Sequence, residues 1–149
     1  MATIDEEIKS RFESEQHKAL LNIMFTASWL RSRHNAALAP SGLSMQQYNI
    51  LRILRGAQGP VNMQTVKERM VDRAPNATRL VDKLIEKRLV QRERATDDRR
   101  VIYLGITPPG LELLGRVDEL VRGDIDKTNA NLSIEDAIVI NRVLDSMRG

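Results

Sequence analysis

The chain has 149 residues, a single-domain length that is long enough to bury a hydrophobic core. It contains no cysteine, which excludes disulfides, thiol catalysis, iron–sulfur clusters and thiolate zinc sites. Hydrophobic residues make up 42% and charged residues 29% of the chain, so we expect a globular rather than a disordered protein. Aromatic residues account for only 3%, which favours the aliphatic core that helices build.

The sequence carries no pattern for export or membrane insertion. Its first nine residues are acidic, whereas a signal peptide begins with a positively charged region. The most apolar stretch, Ala19–Leu30, is too short to cross a bilayer. We therefore expect a cytoplasmic protein that has no membrane partner.

No pattern for a catalytic, cofactor or metal site is present either. The P-loop, dinucleotide-binding, zinc-protease and nucleophile-elbow motifs are missing, and no serine–histidine–aspartate set is evident. His17 and His34 stand apart, without cysteine or a carboxylate cluster, which favours packing or surface roles over metal binding. The sequence therefore predicts a protein that is not an enzyme and needs no cofactor.

The positive charge of the chain is concentrated in one stretch. Between Lys67 and Arg100 there are eleven lysines and arginines against seven acids, a local charge of +4, while the remainder of the chain carries −1. Such a patch is expected where a protein meets phosphates, although a solvated surface would give the same count.

The first predicted element is one long helix from about Asp5 to Leu38. Its apolar residues cover more than one side of the helix: Leu20, Leu21, Ile23, Met24, Phe25, Ala27, Trp29 and Leu30. A helix that is apolar on several sides is buried on several sides, so we expect a second chain to cover it.

Capping signals mark the next two helices. Pro40–Gly42 ends the first helix, and Ser44 with Gln47 three residues later forms a capping box that starts the second. This second helix is expected to stop near Gly56–Pro60. A short helix from about Met63 to Met70 follows it, with an N-cap supplied by the preceding asparagine.

The helix that follows has two different faces. Residues 72–75, Asp-Arg-Ala-Pro, are expected to open it with Pro75 in the first turn, and it is expected to end at Arg88. Its inward face is apolar and comprises Ala77, Leu80, Val81, Leu84 and Ile85. Its outward face carries Asn76, Arg79, Lys83 and Lys87, with Thr78 at the border. A short helix, a tight turn and such a helix are typical of a helix-turn-helix, whose second helix enters the major groove of DNA.

Two strands follow directly. Residues 89–94 and 101–106 are rich in β-formers and flank a polar segment, which predicts a hairpin tipped by Asp97-Asp98-Arg99-Arg100. Arginine at such a tip fits the narrow minor groove of DNA. Thr107 and Ser133 are expected to cap two further helices. The predicted fold is therefore mainly α with a small β-hairpin wing, a winged helix-turn-helix.

Taken together, these elements resemble the MarR (multiple-antibiotic-resistance regulator) family of bacterial winged-helix regulators. The likeness is carried by a Thr-Arg-x-x-Asp pattern in the second helix of the motif, an Asp-x-Arg pattern in the wing, and the stretches 43–51, 76–84, 89–92 and 97–107. It covers nearly the whole chain, read as a single domain over residues 1–149. A winged-helix region at about 43–107 lies between the places where that family has its dimerisation helices, about 1–38 and 108–149.

The resemblance implies a homodimer that binds a pseudo-palindromic operator in double-stranded DNA, with half-sites about 10 bp apart. It implies DNA contacts from a recognition helix and a wing, and these would be made by Asn76, Thr78, Arg79 and Lys83 and by Arg99 and Arg100 with Asp98. It also implies a ligand-responsive repressor that small aromatic or phenolic anions release from DNA. Members that sense oxidants use cysteine, so that mode of regulation is excluded here.

One position departs from the family pattern. Glycine commonly follows the recognition helix in that family, whereas this chain has Arg88. If Arg88 adopts the left-handed conformation that glycine would take, a strain of about 1 kcal/mol follows, which is too small to threaten the fold.

Three alternatives stay open at the level of sequence. Arg99 and Arg100 could pair with the two aspartates of the wing tip instead of contacting DNA. The large side chains of Trp29, Met45 and Tyr48 could line a ligand pocket or simply fill the core. A winged helix can also serve protein–protein interaction without any DNA partner, because fold alone does not decide function.

Overall fold

A computed structural model describes residues 2–73 and 75–149, so that Met1 and Ala74, both within predicted segments, lie outside the described residues. The fold is mainly helical with a small antiparallel sheet, which confirms the predicted fold class. No helix of the described part is long and apolar enough to cross a membrane. The elements are α1 (Ile4–Glu7), α2 (Glu15–Leu38), α3 (Met45–Gly56), β1 (Val61–Asn62), α4 (Met63–Arg69), α5 (Ala77–Glu86), β2 (Val90–Arg94), β3 (Ile102–Ile106), α6 (Pro108–Asn129) and α7 (Ile134–Arg148).

The prediction of one helix from Asp5 to Leu38 is wrong at its N-terminal end, because the chain breaks between α1 and α2. The Ser14 side chain accepts a hydrogen bond from the backbone N–H of His17 (3.1 Å), so a new helix begins there. Lys18 Nζ lies 2.5 Å from the carboxylate of Asp5, which holds α1 beside the first turn of α2. A local cap and an ion pair thus replace the continuous helix.

Four other predicted helix starts, those of α3, α4, α6 and α7, are confirmed by their caps. The Ser44 hydroxyl accepts from the N–H of Gln47 (3.1 Å), and the Gln47 side chain in turn accepts from the N–H of Ser44 (3.2 Å). The side chains of Asn62, Thr107 and Ser133 each accept from the backbone N–H three residues further on, at 2.9, 3.1 and 3.1 Å. Each of these four helices therefore begins where a side chain satisfies a free backbone donor.

Helix α5 starts two residues later than predicted. Pro75 lies in a turn before the helix instead of in its first turn, and Asn76 is the N-cap residue, with non-helical φ and ψ of −96° and 18°. The shift makes Asn76 the boundary between the turn and the helix.

The end of α5 is closed by a left-handed residue. Arg88 has a φ of 59°, so it takes the conformation in which glycine is the usual residue. The N–H of Leu89 donates to the carbonyl of Leu84 (3.0 Å) and that of Arg88 to the carbonyl of Ile85 (2.9 Å), the two bonds of a Schellman motif. These bonds offset the strain and direct the chain into β2.

The wing contains one strand that the sequence did not predict. Strands β2 and β3 form the expected hairpin, with Val90 opposite Ile106 and Arg94 opposite Ile102. Strand β1 pairs with the other edge of β3 to give the order β1-β3-β2, and it has only two residues, too few to leave a period-2 pattern.

The core lies in the winged-helix region. Its fully buried large side chains come from α3, α4, α5, β2, β3 and α6, with one from the end of α2: Leu38, Ile50, Leu51, Val66, Val81, Leu84, Val90, Leu104, Leu114 and Val117. Helix α7 has no buried residue among those described, and most of α2 leaves its apolar side chains in solvent. These two helices therefore carry apolar surface that the single chain does not cover.

Gly110, in the first turn of α6, allows that helix to lie against Leu89, in the short connection between α5 and β2. A Cβ at this position would stand 2.3 Å from the carbonyl oxygen of Leu89 and 2.8 Å from the side chain of Ile106. We expect Gly110→Ala to lower the free energy of unfolding by about 1–3 kcal/mol, because a backbone carbonyl cannot move aside cheaply. Urea unfolding at a fixed protein concentration measures this change.

Gly115 on the same helix provides the matched control, because a Cβ there meets nothing within 4 Å. Gly115→Ala should raise the free energy of unfolding by about 0.5–1 kcal/mol through helix propensity. Equal effects at the two glycines would contradict the close contact between α6 and Leu89.

Candidate DNA interface and effector cavity

Helix α5 presents its polar face to solvent. Its inward residues Ala77, Leu80, Val81 and Leu84 are buried in the core. The predicted DNA-contacting residues are all exposed: Asn76, Thr78, Arg79 and Lys83. Because the apolar face is covered on the inside, the donors and cations of α5 lie where a partner can reach them.

At this face the side chains of Asn76, Arg79 and Lys83 are not engaged elsewhere in the described structure, whereas Lys87 Nζ donates to the carbonyl oxygen of Gly42 (3.3 Å). Asn76 makes no capping hydrogen bond to α5, and neither Arg79 nor Lys83 forms an ion pair with a described residue. Base-edge readout needs donors and acceptors that are not already paired within the protein. The face meets that requirement.

The wing tip is built by backbone hydrogen bonds to its aspartates. The Asp98 carboxylate accepts from the N–H of Arg100 (3.0 Å), and the Asp97 carboxylate accepts from the N–H of Asp98 (3.0 Å). The side chains of Arg99 and Arg100 are exposed, and neither pairs with an aspartate in the part of the chain that is described. Asp98 therefore shapes the turn, and both guanidinium groups extend into solvent.

An ion pair joins the wing to helix α5, and sequence reasoning missed it. Arg92 of β2 lies 2.5 Å from the Asp82 carboxylate of α5. Asp82 is the acid of the Thr-Arg-x-x-Asp pattern, so the sequence identified this residue as part of the motif. The sequence did not indicate that Arg92, ten residues later, pairs with it. Both side chains are about half exposed, so the pair contributes at most about 1 kcal/mol and acts mainly by setting orientation.

A cavity of about 530 Å³ lies between α2, α3, α6 and the segment that precedes α5. Two of the three predicted pocket residues, Met45 and Tyr48, line it. Basic groups from two helices also face it, namely Arg31, His34 and Arg52, beside apolar side chains that include Leu38, Val121 and Ile125. The lining thus combines two arginines and a histidine with an apolar wall, and the carboxylate of Asp72 also borders it.

Trp29, the third predicted pocket residue, does not line this cavity. It lies on α2 with the guanidinium group of Arg33 stacked on its ring at 4.9 Å from the centroid. Arg33 also pairs with Asp124 of α6, so Trp29 stacks on a side chain that joins α2 to α6.

The two histidines make different contacts and lie in different parts of α2. His17 lies at the start of α2, where its ring Nδ1 accepts from the N–H of Glu13 (3.2 Å). His34 lines the cavity. Among the described residues no group of three or more metal-ligating side chains comes together.

Tyr48 connects the cavity wall to helix α6. Its hydroxyl donates to one carboxylate oxygen of Asp118 (2.7 Å), and Arg55 of α3 pairs with the other oxygen. Burial and the bond to Asp118 raise the pKa of Tyr48 to about 12, so the phenol stays protonated and donates. Burial acts to raise the pKa of Asp118, but hydrogen bonds from Arg55 and Tyr48 outweigh it, so that the pKa lies below its ordinary value.

The order of elements, the inward face of α5 and the exposed wing define a winged helix-turn-helix protein. The family model described as "MarR family" matches residues 43–102. The MarR transcription factor from Planctomyces limnophilus is 30% identical, and the alignment covers 91% of this chain and 98% of that protein with a TM-score of 0.70. The chain therefore belongs to the MarR family of transcriptional regulators.

Curated relatives agree over shorter stretches. The HTH-type regulator YpoP of Bacillus subtilis is 35% identical over 77 residues, which is 52% of this chain and 54% of YpoP. The regulator MhqR of the same organism is 27% identical over 74% of this chain and 75% of its own length. The matched part thus spans about half the length of YpoP.

More distant solved structures share the fold. BpsR of Bordetella bronchiseptica, whose DNA binding is regulated by 6-hydroxynicotinic acid, is 21% identical with a TM-score of 0.74 over 93% of this chain and 97% of its own. The organohalide-sensing regulator RdhR-CbdbA1625, solved with 2,4-dichlorophenol bound, is 15% identical with a TM-score of 0.81 over 95% of this chain and 86% of its own.

The bonds of Asp118 predict a pH-dependent contribution to stability. Because its folded pKa is lowered, the contribution is present above the unfolded pKa of about 3.9 and is lost as pH falls through the folded value. We expect Asp118→Asn to lower the free energy of unfolding at pH 7 by about 1–2 kcal/mol, with the difference narrowing below pH 4. Urea unfolding between pH 3.5 and 7 measures it.

Asp126→Asn is the control, since Asp126 is exposed on the same helix and forms no ion pair with a described residue. The free energy of unfolding of the Asp126→Asn variant should match that of the wild type between pH 3.5 and 7. A loss for Asp118→Asn that stays constant down to pH 3.5 would argue against the ionised bond network.

Proposed function

We propose that the chain acts as a homodimeric repressor that binds a pseudo-palindromic operator and is released by a small aromatic or phenolic anion. The observation that carries the proposal is the exposed, cationic face of α5 joined through Asp82 and Arg92 to an arginine-tipped wing. The role is that of a regulator and not of an enzyme. It is exercised in the cytoplasm, where bacterial DNA lies.

DNA binding follows from the chemistry of the two exposed elements. Arg79 and Lys83 supply donors for guanine edges, and Asn76 offers the amide that suits adenine in the major groove. Thr78, at the border of the face, contacts a base edge or a phosphate. Arg99 and Arg100 extend from the wing, where a narrow minor groove attracts guanidinium groups.

A second copy of the chain is the proposed cover for the apolar surfaces of α2 and α7. On α2 the exposed apolar residues include Met24 (67% exposed) and Leu20 (50%), and on α7 they include Ile134 (75%) and Ile138 (63%). Surfaces of this kind on a soluble protein mark interaction sites. A twofold axis through these helices would place two recognition helices about one helical turn of DNA apart.

The cavity suits an aromatic anion. Arg31 and Arg52 can balance a carboxylate or phenolate and His34 can hydrogen-bond to it, while Val121 and Ile125 offer an apolar surface for a ring. A volume of about 530 Å³ lies within the range of small-molecule sites. Met45 and Tyr48 are the predicted lining residues that would meet the ligand.

Release from DNA would be a population shift. The ligand must bind one arrangement of the recognition helices more tightly than the other, since a ligand of equal affinity for both shifts nothing. A coupling free energy of about 1–3 kcal/mol is typical for such regulation.

Arg79→Glu tests the assignment of the recognition helix. The operator is first selected from a random-sequence pool by the wild-type protein, and affinity is then measured by fluorescence anisotropy. We expect a loss of at least about 100-fold, because the substitution removes a base contact and places a negative charge beside phosphates. Circular dichroism and sedimentation should show an unchanged fold and oligomeric state.

Arg11→Glu makes the same charge change in the segment between α1 and α2, outside the basic stretch, and should bind the operator like the wild type. Equal affinity of the Arg79→Glu variant and the wild type would show that another element reads the DNA.

Arg100→Ala tests the wing. Loss of one phosphate or minor-groove contact should weaken binding to the operator and to random DNA by similar factors. It should also reduce the slope of log K against log salt by about one. Titrations at several salt concentrations measure the slope. A wild-type protein that shows no salt dependence would instead indicate a winged-helix module for protein–protein interaction.

A further inference from the structure

The segment between α4 and α5 is held by two side chains of α3. The Asn49 side-chain oxygen accepts a hydrogen bond from the backbone N–H of Val71 (3.0 Å). The Gln46 side-chain amide donates to the carboxylate of Asp72 (3.1 Å). We refer to these two bonds as the α3 latch.

The latch acts on a part of the chain that has little apolar support. Met70, directly before the segment, and Ala77, the first residue of α5, are both buried. Between them Val71 is 90% exposed, and Asp72, Arg73, Pro75 and Asn76 are exposed as well. Among the described residues of this path into α5, the polar bonds from α3 thus take the place of packing.

Helix α3 is a firm base for these bonds. Ile50 and Leu51 are completely buried, and the Ser44–Gln47 capping box fixes the first turn of the helix. Gln46 and Asn49 are three residues apart and therefore lie on one side of the helix. Both of them line the cavity, together with Val71 and Asp72.

We propose that Asn49 and Gln46 are positioning residues that set the start of α5, including Asn76, for sequence-specific DNA reading. This inference rests on the proposed function, because it assigns α5 to base readout. Neither side chain touches DNA in this scheme. They act through the backbone of the connecting segment, so their loss should reduce discrimination between DNA sequences more than it reduces attraction to phosphates.

Asn49→Leu tests the latch, because leucine has the same number of side-chain heavy atoms and the same branch point as asparagine but accepts no hydrogen bond. We expect amide hydrogen exchange at Val71 to become faster and operator affinity to fall about tenfold, while affinity for random DNA stays within about twofold. Asn49→Asp keeps an acceptor oxygen and should restore slow exchange at Val71 and most of the operator-to-random ratio.

Two further variants separate the latch from a general change in the cavity. Asn35→Leu makes the same substitution in the same cavity, but on α2, and should match the wild type in both measurements. Gln46→Glu places a carboxylate against Asp72 and should reduce the operator-to-random ratio, with circular dichroism and unfolding confirming that the fold is kept.

Each outcome decides the inference. Wild-type exchange at Val71 or a wild-type operator-to-random ratio in Asn49→Leu would overturn it, as would equal losses in Asn49→Leu and Asn35→Leu. A wild-type protein that selects no DNA sequence would instead refute the proposed function. In that case the exchange rate at Val71 would still report whether Asn49 holds the segment.

Discussion

The burial of one face of α5 against α3 determines which side chains of α5 are exposed to solvent. Ala77, Val81 and Leu84 are completely inside the core, and on a helix the inward residues dictate the outward ones. Burial of a valine or leucine side chain contributes about 1.5–3 kcal/mol. Rotating α5 would instead place Arg79 or Lys83 against apolar neighbours, where an unpaired charge is very costly. The recognition face is therefore fixed by the core before any DNA is present.

Helix α3 supports the core, the cavity and the recognition helix with different faces. Its fully buried side chains pack against α5 and β3, Tyr48 ties it to Asp118 of α6, and Asn49 holds the segment before α5. These attachments differ in strength. The core contacts remove whole apolar side chains from water, whereas a hydrogen bond at a half-exposed site contributes about 0.5–1.5 kcal/mol net. The start of α5 is consequently held much less firmly than its axis.

Features encoded within a few residues could be predicted from the sequence, and features that join distant residues could not. The Ser44 capping box, the inward face of α5 and the hairpin at the wing all depend on local spacing, and the structure confirms them. The break before α2 was missed because the apolar pattern continues past a single capping serine. The ion pair between Asp82 and Arg92 and the bond from Tyr48 to α6 depend on tertiary packing, which no periodicity in the sequence records.

The α3 latch stabilises the start of α5 far less than the core stabilises its apolar face, and this difference limits how a ligand could change DNA binding. Allosteric coupling of about 1–3 kcal/mol is comparable to two exposed hydrogen bonds and far smaller than the free energy that orients the apolar face of α5. Under the proposed function, a ligand in the cavity would meet Gln46 and Asn49 directly, because both line it. Drawing either side chain into a bond with the ligand would release the connecting segment without disturbing Val81 or Leu84. A coupling free energy of this size is therefore enough to move the start of α5, where Asn76 lies. It is too small to detach the helix from the core.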